Sequence, residues 1–284
     1  YPKLIVACPF TPATGPRLLH APGAQVERLC QGLAAGLQRF VDQLELSSAH
    51  VLFPQQSQAA LLEASGMVGR VGIQYHWQNA GYRSFDDFLA RYSSKRRNQI
   101  KRERRALVEQ GVQLEVLTGS DLRPDHMDHA YRFYCATVDK YHWGRRYLNR
   151  EFFQELCSRM PEQVLLVLAK EQSSGDYIAG ALNLLGTQRL FGRYWGATRE
   201  LRHLHFNVCY YQGIEEAIRR GLSVFEPGAG GEHKVARGFE PTLTYSAHYL
   251  RHPQLNSAVR RHLISERQLI EQQLRDEPPL LKPG

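Results

Sequence analysis

The sequence predicts an α/β protein built on mixed sheets, in which a partial first repeat precedes a complete second one. Three observations carry this. Apolar strand-like runs alternate with stripes of helical spacing along the whole chain. Residues 112–250 read β, α, α, β, β, β, α, β, loop, β, and residues 3–77 repeat the second half of that order. Composition agrees, since 284 residues with 43% hydrophobic and 23% charged side chains bury a core and exclude disorder, collagen and coiled coil. No run approaches the ~20 apolar residues that span a bilayer, and the N-terminus lacks a secretory layout, so a cytoplasmic chain is expected. Five cysteines without a CxxC are read as free thiols, not a disulfide framework. Tyr1 opens the chain inside a strand, so further sequence upstream is expected.

Residues 3–10 (KLIVACPF) form the first apolar β run, closed by the turn-rich TPATGPR. Val26, Leu29, Cys30, Leu33, Leu37, Phe40, Val41 and Leu44 then fall at spacings of three and four and predict a helix over 24–44. A strand at 50–53, a helix at 58–64 and an alternating strand at 67–77 complete the first half. Phe85, Phe88, Leu89 and Tyr92 mark a helix with one buried face, and Ser93 or Ser94 caps the next, at about 95–110, which Gly111 stops. A strand at 112–117, helices at about 125–140 and 150–159, and strands at 163–169, 177–185 and 189–197 follow. A helix at 205–220 leads to LSVFE, the glycine-rich GAGGEHK and a last strand near 242–250. Pro253 opens a tail helix to about 276, and PPLLKPG is read as frayed terminus.

The order over 112–250 is that of an N-acetyltransferase-type (GNAT) fold, so the expectation is a tandem GNAT-like protein with a truncated first repeat in a separate sheet. Residues 1–84 would be the C-terminal half of the first repeat. Residues 85–252 would be the second domain with its leading helix pair, and 253–284 the amphipathic tail.

The net charge of +8 is local. Residues 91–105, RYSSKRRNQIKRERR, hold eight Lys/Arg against one Glu, a balance of +7. Clustered cations of this kind neutralise the phosphates of tRNA, a nucleotide-linked substrate or a CoA tail, with a solvated helix face as the plain alternative. Lys95, Arg96, Arg97 and Lys101 are the candidates for donor phosphates. The longer segment SFDDFLARYSSKRRNQIKRERRALVEQGV resembles the Ser-Ser-Lys-x-Arg-x-x-Ile-Arg segment of the Fem-type transferases, which carry tandem GNAT domains. RYWGATRELRHLHFNVCYYQGIEEAIRRGLSVFEPGAGGEHKVARGFEPTLTYSAHY is similar to the FemAB-like predicted N-acyltransferase branch of that superfamily. The resemblance covers nearly the whole chain and implies transfer of an acyl or aminoacyl group to an amine.

FEPGAGGEHK carries the most chemistry. Its glycines permit positive φ and a close backbone approach to a ligand, where the ends of two GNAT strands splay apart. Glu226, Glu232 or His233 is placed to take the proton of the acceptor amine. Lys234 and Arg237 are placed to face an oxyanion or a phosphate, with a surface loop of mutually paired ions as the plain alternative. Fem-type enzymes carry Lys-x-Gly-Phe near this point, whereas here Ala236-Arg237-Gly238-Phe239 has Ala at the lysine position, leaving Lys234 as its substitute.

Arg193 and Trp195 share one face of an alternating strand, with Tyr194 on the other, and Tyr141, His142 and Trp143 form an aromatic loop; these are the acceptor-side candidates, against core packing. His203, His205 and Cys209 have a zinc-like pattern without a fourth ligand by spacing, so no metal is assigned. The Q/R-x-x-G-x-G/A pyrophosphate turn of CoA-using GNATs is missing, since TRELRHLHF follows strand 189–197 without a glycine. The first-repeat loop TPATGPRLLHAPG has glycines and Arg17, a further phosphate candidate, but not that spacing. The expectation is an N-acyltransferase without a tightly bound cofactor, whose donor is aminoacyl-tRNA or acyl-CoA, with the polyanion favoured. The rival is an inactive GNAT-like module that binds RNA through 91–105.

Overall fold

The computed structural model describes residues 2–8, 11–23 and 25–276, without the side chain of Glu232. Two compact units result, one from Tyr1–Gln74 with Pro241–Pro278 and one dominated by Tyr75–Glu240.

In the first unit, β1 (Lys3–Val6) runs parallel to β2 (Ser48–Leu52), which pairs antiparallel with β9 (Glu240–Leu250), and β3 (Val68–Gln78) lies beside β9. α1 (Val26–Gln43) and α2 (Gln56–Ala64) cover one face, burying Cys30, Ala34, Val51, Leu62, Met67 and Ala247 together. β1 ends at Val6, short of the predicted 3–10; Pro9 has no N–H for a ladder, and Pro9 and Phe10 lie outside the described residues, as does the PPLLKPG tail. α9 (Pro253–Asp276) is tied to this unit by Arg70–Glu266 at 2.7 Å and Arg267–Glu63 at 2.8 Å.

One expectation is corrected. The strand predicted at 242–250 does not complete the second repeat: β9 pairs with β2, His50 opposite His248, and its Ala247 is sealed under α1 and α2. β3 runs on into the second unit, its last residues Trp77 and Gln78 pairing with Phe225 and Val224 of β8 (Val224–Glu226). Periodicity reports which faces of a strand are apolar, not which distant strand accepts its hydrogen bonds.

The second unit continues from β8 through β7 (Arg189–Ala197), β6 (Tyr177–Leu185), β5 (Val164–Glu171) and β4 (Val112–Leu117), antiparallel except for the parallel β7–β8 pair. β5 is buried throughout its first six residues, VLLVLA, because helices cover both sides of it. Val164, Leu166 and Leu168 face α5 (Pro124–Val138) and α6 (Arg150–Arg159), meeting Met127, Phe133 and Phe153. Val167 and Ala169 face the opposite layer, where Leu107 of α4 (Ser94–Glu109) and Leu204 and Val208 of the helix after β7 pack. α3 (Phe85–Ala90) precedes α4, and the Ser93 hydroxyl accepts from the Arg96 N–H to cap α4. This is the α/β class that the element order predicted, with a mixed sheet between two helical layers.

Candidate active site

The parallel pair β7–β8 lasts three residues, Arg189–Val224, Leu190–Phe225 and Phe191–Glu226, and then parts. β8 stops because Pro227 cannot donate to the ladder. β7 runs on, and Gly192 passes so close to Pro227 that a Cβ there would stand 3.0 Å from the proline Cα. Beyond this point a cleft of about 140 Å3 opens, lined by Gly192, Arg193, Tyr194 and Trp195 on one side, Pro227, Ala229 and Lys234 on the other, and His205, Cys209 and Tyr210 from the helix above.

The loop that closes the cleft depends on its glycines. Gly228, Gly230 and Gly231 take φ of 93°, 70° and 91°, which lets the chain reverse before a 3-10 turn at Glu232–Arg237. That turn folds Lys234 back under the loop, 3% exposed, with Nζ donating to Gly228 O at 2.6 Å and Ala229 O at 3.4 Å. Burial pulls its pKa down to about 8, opposed by the neighbouring Cys209.

The helix above enters through His203 in the left-handed region, as α7 (Leu204–Phe206), makes a π turn at Asn207–Tyr211 and continues as α8 (Gln212–Arg219). The π turn inserts one residue into the ladder and so re-aims Cys209 and Tyr210. His205 packs its ring against Trp195 and Tyr210, each at 5.0 Å; burial first, then the charges of His233, Arg237 and Lys234, brings its pKa down to about 4 and keeps it neutral. Burial pushes the Cys209 thiol well up. Tyr210 Oη and His233 Nε2 are 2.8 Å apart, linking the cleft to an exposed imidazole whose pKa burial, Arg237 and Lys234 all lower.

Glu226 is 2% exposed at the end of β8, accepting from Arg189 Nη1 at 2.6 Å, with His76 Nε2 at 3.8 Å. His76, on β3, was not foreseen from the sequence; a histidine inside an apolar alternating strand is the signal that marks it. Burial, then Arg189 and Lys234, lowers its pKa to about 4, so it is neutral beside the carboxylate.

A profile of the FemAB-like family, described as peptidoglycan biosynthesis/recognition, matches residues 1–279. The chain belongs to the FemAB-like family. Among solved structures, the chain is similar to the C-terminal domain of a putative lysylphosphatidylglycerol synthetase from Agrobacterium fabrum, at 11% identity and TM-score 0.57 over 79% of this chain and 75% of that one. It is also similar to L-PGS from Bacillus licheniformis, at 9% and 0.55 over 81% and 77%. FemX gives 10% and 0.55 over 82% and 79%. At these identities the likeness is one of fold. No curated protein matches the chain. As a FemAB-like protein the chain is a transferase of acyl or aminoacyl groups, and the rival reading as an inactive polyanion-binding module is not favoured.

Within the FemAB-like chain the sequence-predicted residues fall into separate groups. Lys234, Arg193 and Trp195 line the cleft; His233 reaches it through Tyr210; the side chain of Glu232 lies outside the described residues. A bulge where Leu182–Asn183 meets Gly192–Tyr194 breaks the expected alternation, so Arg193 leans over the Tyr194 ring at 4.2 Å. Arg237 is buried, 7% exposed, and bound to Glu103. Lys95, Arg96, Arg97 and Lys101 ride on α4, where Lys95 and Arg96 border a hollow of about 260 Å3 with Tyr92, Ser93 and Gln99, and Lys101 pairs with Asp86 at 2.9 Å. Arg17 belongs to the first unit, donating to Leu52 O at 2.9 Å and Ala13 O at 2.5 Å. Tyr141, His142 and Trp143 project from the loop between α5 and α6, Trp143 88% exposed. Among the described residues no group of three or more His, Cys, Asp or Glu is placed to hold a metal ion, and no helix is long and apolar enough to cross a membrane.

Proposed function

We propose that the protein transfers an aminoacyl or related acyl group from a phosphate-rich donor, such as aminoacyl-tRNA, to an amine, with the carbonyl seated where β7 and β8 part. The observation that carries this reading is Lys234, an ammonium folded into that cleft from a glycine-rich loop. An amine attacking an ester or thioester carbonyl leaves a tetrahedral oxyanion, and a desolvated cation beside it lowers the barrier. The attacking nitrogen must also shed a proton. Tyr210, hydrogen-bonded to His233, gives a route from the cleft to an imidazole that burial and nearby cations keep neutral. Glu226 is held by Arg189 and is a poorer proton acceptor while so paired.

The donor reading rests on two features. The helix after β7 starts without glycine, and its Leu204 N–H is already used by Leu201 O at 3.2 Å, which leaves a poor cradle for the pyrophosphate of CoA. The exposed side of α4 offers Lys95, Lys101, Arg102 and Arg105 to several phosphates at once. Side-by-side titrations with charged tRNA and with acetyl-CoA test this. Tight RNA binding that is lost when Arg96, Arg97 and Lys101 are changed to Glu supports it. Micromolar acetyl-CoA binding indifferent to those changes, without RNA affinity at moderate salt, overturns it.

A further inference from the structure

The only acid in the basic run 91–105 does not face solvent. Glu103, 4% exposed, lies on the inner side of α4 and receives Arg237 Nη2 at 3.0 Å and 3.2 Å on its two oxygens. Tyr211 of the π turn donates its hydroxyl to the same carboxylate, Gln99 donates to it at 3.1 Å, and Asn207 Nδ2 holds the Glu103 carbonyl at 3.0 Å. Arg237 in turn donates Nη1 to His233 O at 2.9 Å and lays its guanidinium 3.3 Å over the Phe206 ring. Its Nε has no hydrogen-bond partner, so burying this cation is costly and is offset chiefly by Glu103. One residue further on, Gly238 passes so near α3 and the turn that follows it that a Cβ would stand 2.3 Å from Tyr92 Oη and 2.7 Å from Phe88. The 3-10 turn that carries Lys234 is therefore fastened at its C-terminal end to the helix that bears the basic face.

We propose that Glu103 is a positioning residue that, through Arg237, holds the 227–238 loop closed and so keeps Lys234 inside the cleft. Gln99 extends the chain outward, since it accepts from Arg96 Nη1 at 3.0 Å, and Arg96 borders the hollow at the start of α4. The basic helix thus has two roles divided between its faces. Its outer face offers cations, and its inner face anchors the loop of the transfer site, a role that rests on the proposed function for its consequence but not for its geometry.

The test uses the free protein and needs no substrate. Lysine labelled with 13C at the ε carbon is titrated by NMR, and the Lys234 signal is assigned by its loss in Lys234→Arg. The parent is expected to titrate at about 8. In Glu103→Gln the two ways in which Glu103 could act have opposite signs. A fixed loop with Arg237 left unpaired adds positive potential and drives Lys234 lower, whereas a released loop hydrates Nζ and raises it toward the ordinary 10.5. The proposal expects a rise of at least ~1 unit. Glu216→Gln, which removes an equally buried carboxylate paired with Arg219 and Arg220, is expected to leave Lys234 unmoved. Tyr211→Phe cuts one hold on Glu103 without changing charge and is expected to give a smaller rise. A fall or no change in Glu103→Gln overturns the proposal; if that variant does not fold, no change in Tyr211→Phe overturns it. Full activity of Lys234→Ala would instead remove the transfer role of the lysine and leave the titration result standing.

Discussion

Lys234 keeps its charge in a place that resists it. Two backbone carbonyls accept hydrogen bonds from its Nζ, yet burial brings its pKa down to about 8, so it is an ammonium in neutral solution and loses its charge as pH rises past that point. Lys234→Ala is expected to lower turnover by ~10²–10³ while a thermal melt stays close to the parent, the scale typical of losing one oxyanion donor. If the ammonium form is required, the rate should fall as pH rises through about 8, and a rate that climbs steadily to pH 9.5 would contradict the assignment. His233→Ala removes the far end of the Tyr210 route and is expected to cost ~10-fold or more in rate at neutral pH. At this scale the sequence named Lys234 and His233 from their place after a glycine turn. It missed His76 and Tyr210, which arrive from β3 and a π turn that no local pattern announces.

Among the elements, the loop and α4 behave as one part. Gly238 combines a φ of 84° with the close approach of Tyr92 and Phe88, so Gly238→Ala is expected to destabilise by roughly 2–4 kcal/mol, read as a lower urea midpoint. Gly230→Ala meets the strain of positive φ without a clash, and should cost only about 1 kcal/mol. Equal midpoints for the two would show that the close approach of Gly238 to Tyr92 and Phe88 carries no energy. The helix itself was legible from Ser93, Ile100, Leu107 and Gly111, and so was the concentration of its charge. Which of its charges turns inward was not, because Glu103 sits in a run of Arg and Lys and only the contact with Arg237 and Tyr211 distinguishes it.

For the molecule as a whole, acid sensitivity follows from histidines buried neutral. His76, His205 and His248 are each lowered from 6.5 to about 4, by burial before any other cause; His248 also shares a 2.8 Å Nδ1 to Nδ1 hydrogen bond with His50. The unfolded chain takes up protons on these rings below 6.5, while the folded one does so only near 4. Stability is therefore fully present above about 6.5 and is lost progressively as pH falls through that window. Urea midpoints measured from pH 7.5 to 4.5 should decline steeply, and His248→Asn should flatten the slope; a flat parent profile would show that these rings are not buried neutral. Binding of charged tRNA should show the other whole-molecule property, the +7 segment, as a slope of about −3 to −4 in log affinity against log salt if about four cations meet phosphates.

The sequence by itself determined the elements, their order, the α/β class and the glycine-rich turn ahead of Lys234. These are local properties, set by apolar period, by capping serines and glycines, and by charge density along a helix. The tertiary structure alone decided that β9 joins β2, that the end of β3 pairs with β8, and that Arg237 turns inward to Glu103 while Lys234 turns into the cleft. Each of these joins residues far apart in the chain, and the energy that selects them, burial of a charge beside its one available partner or of Ala247 beneath two helices, exists only once the distant surface is in place.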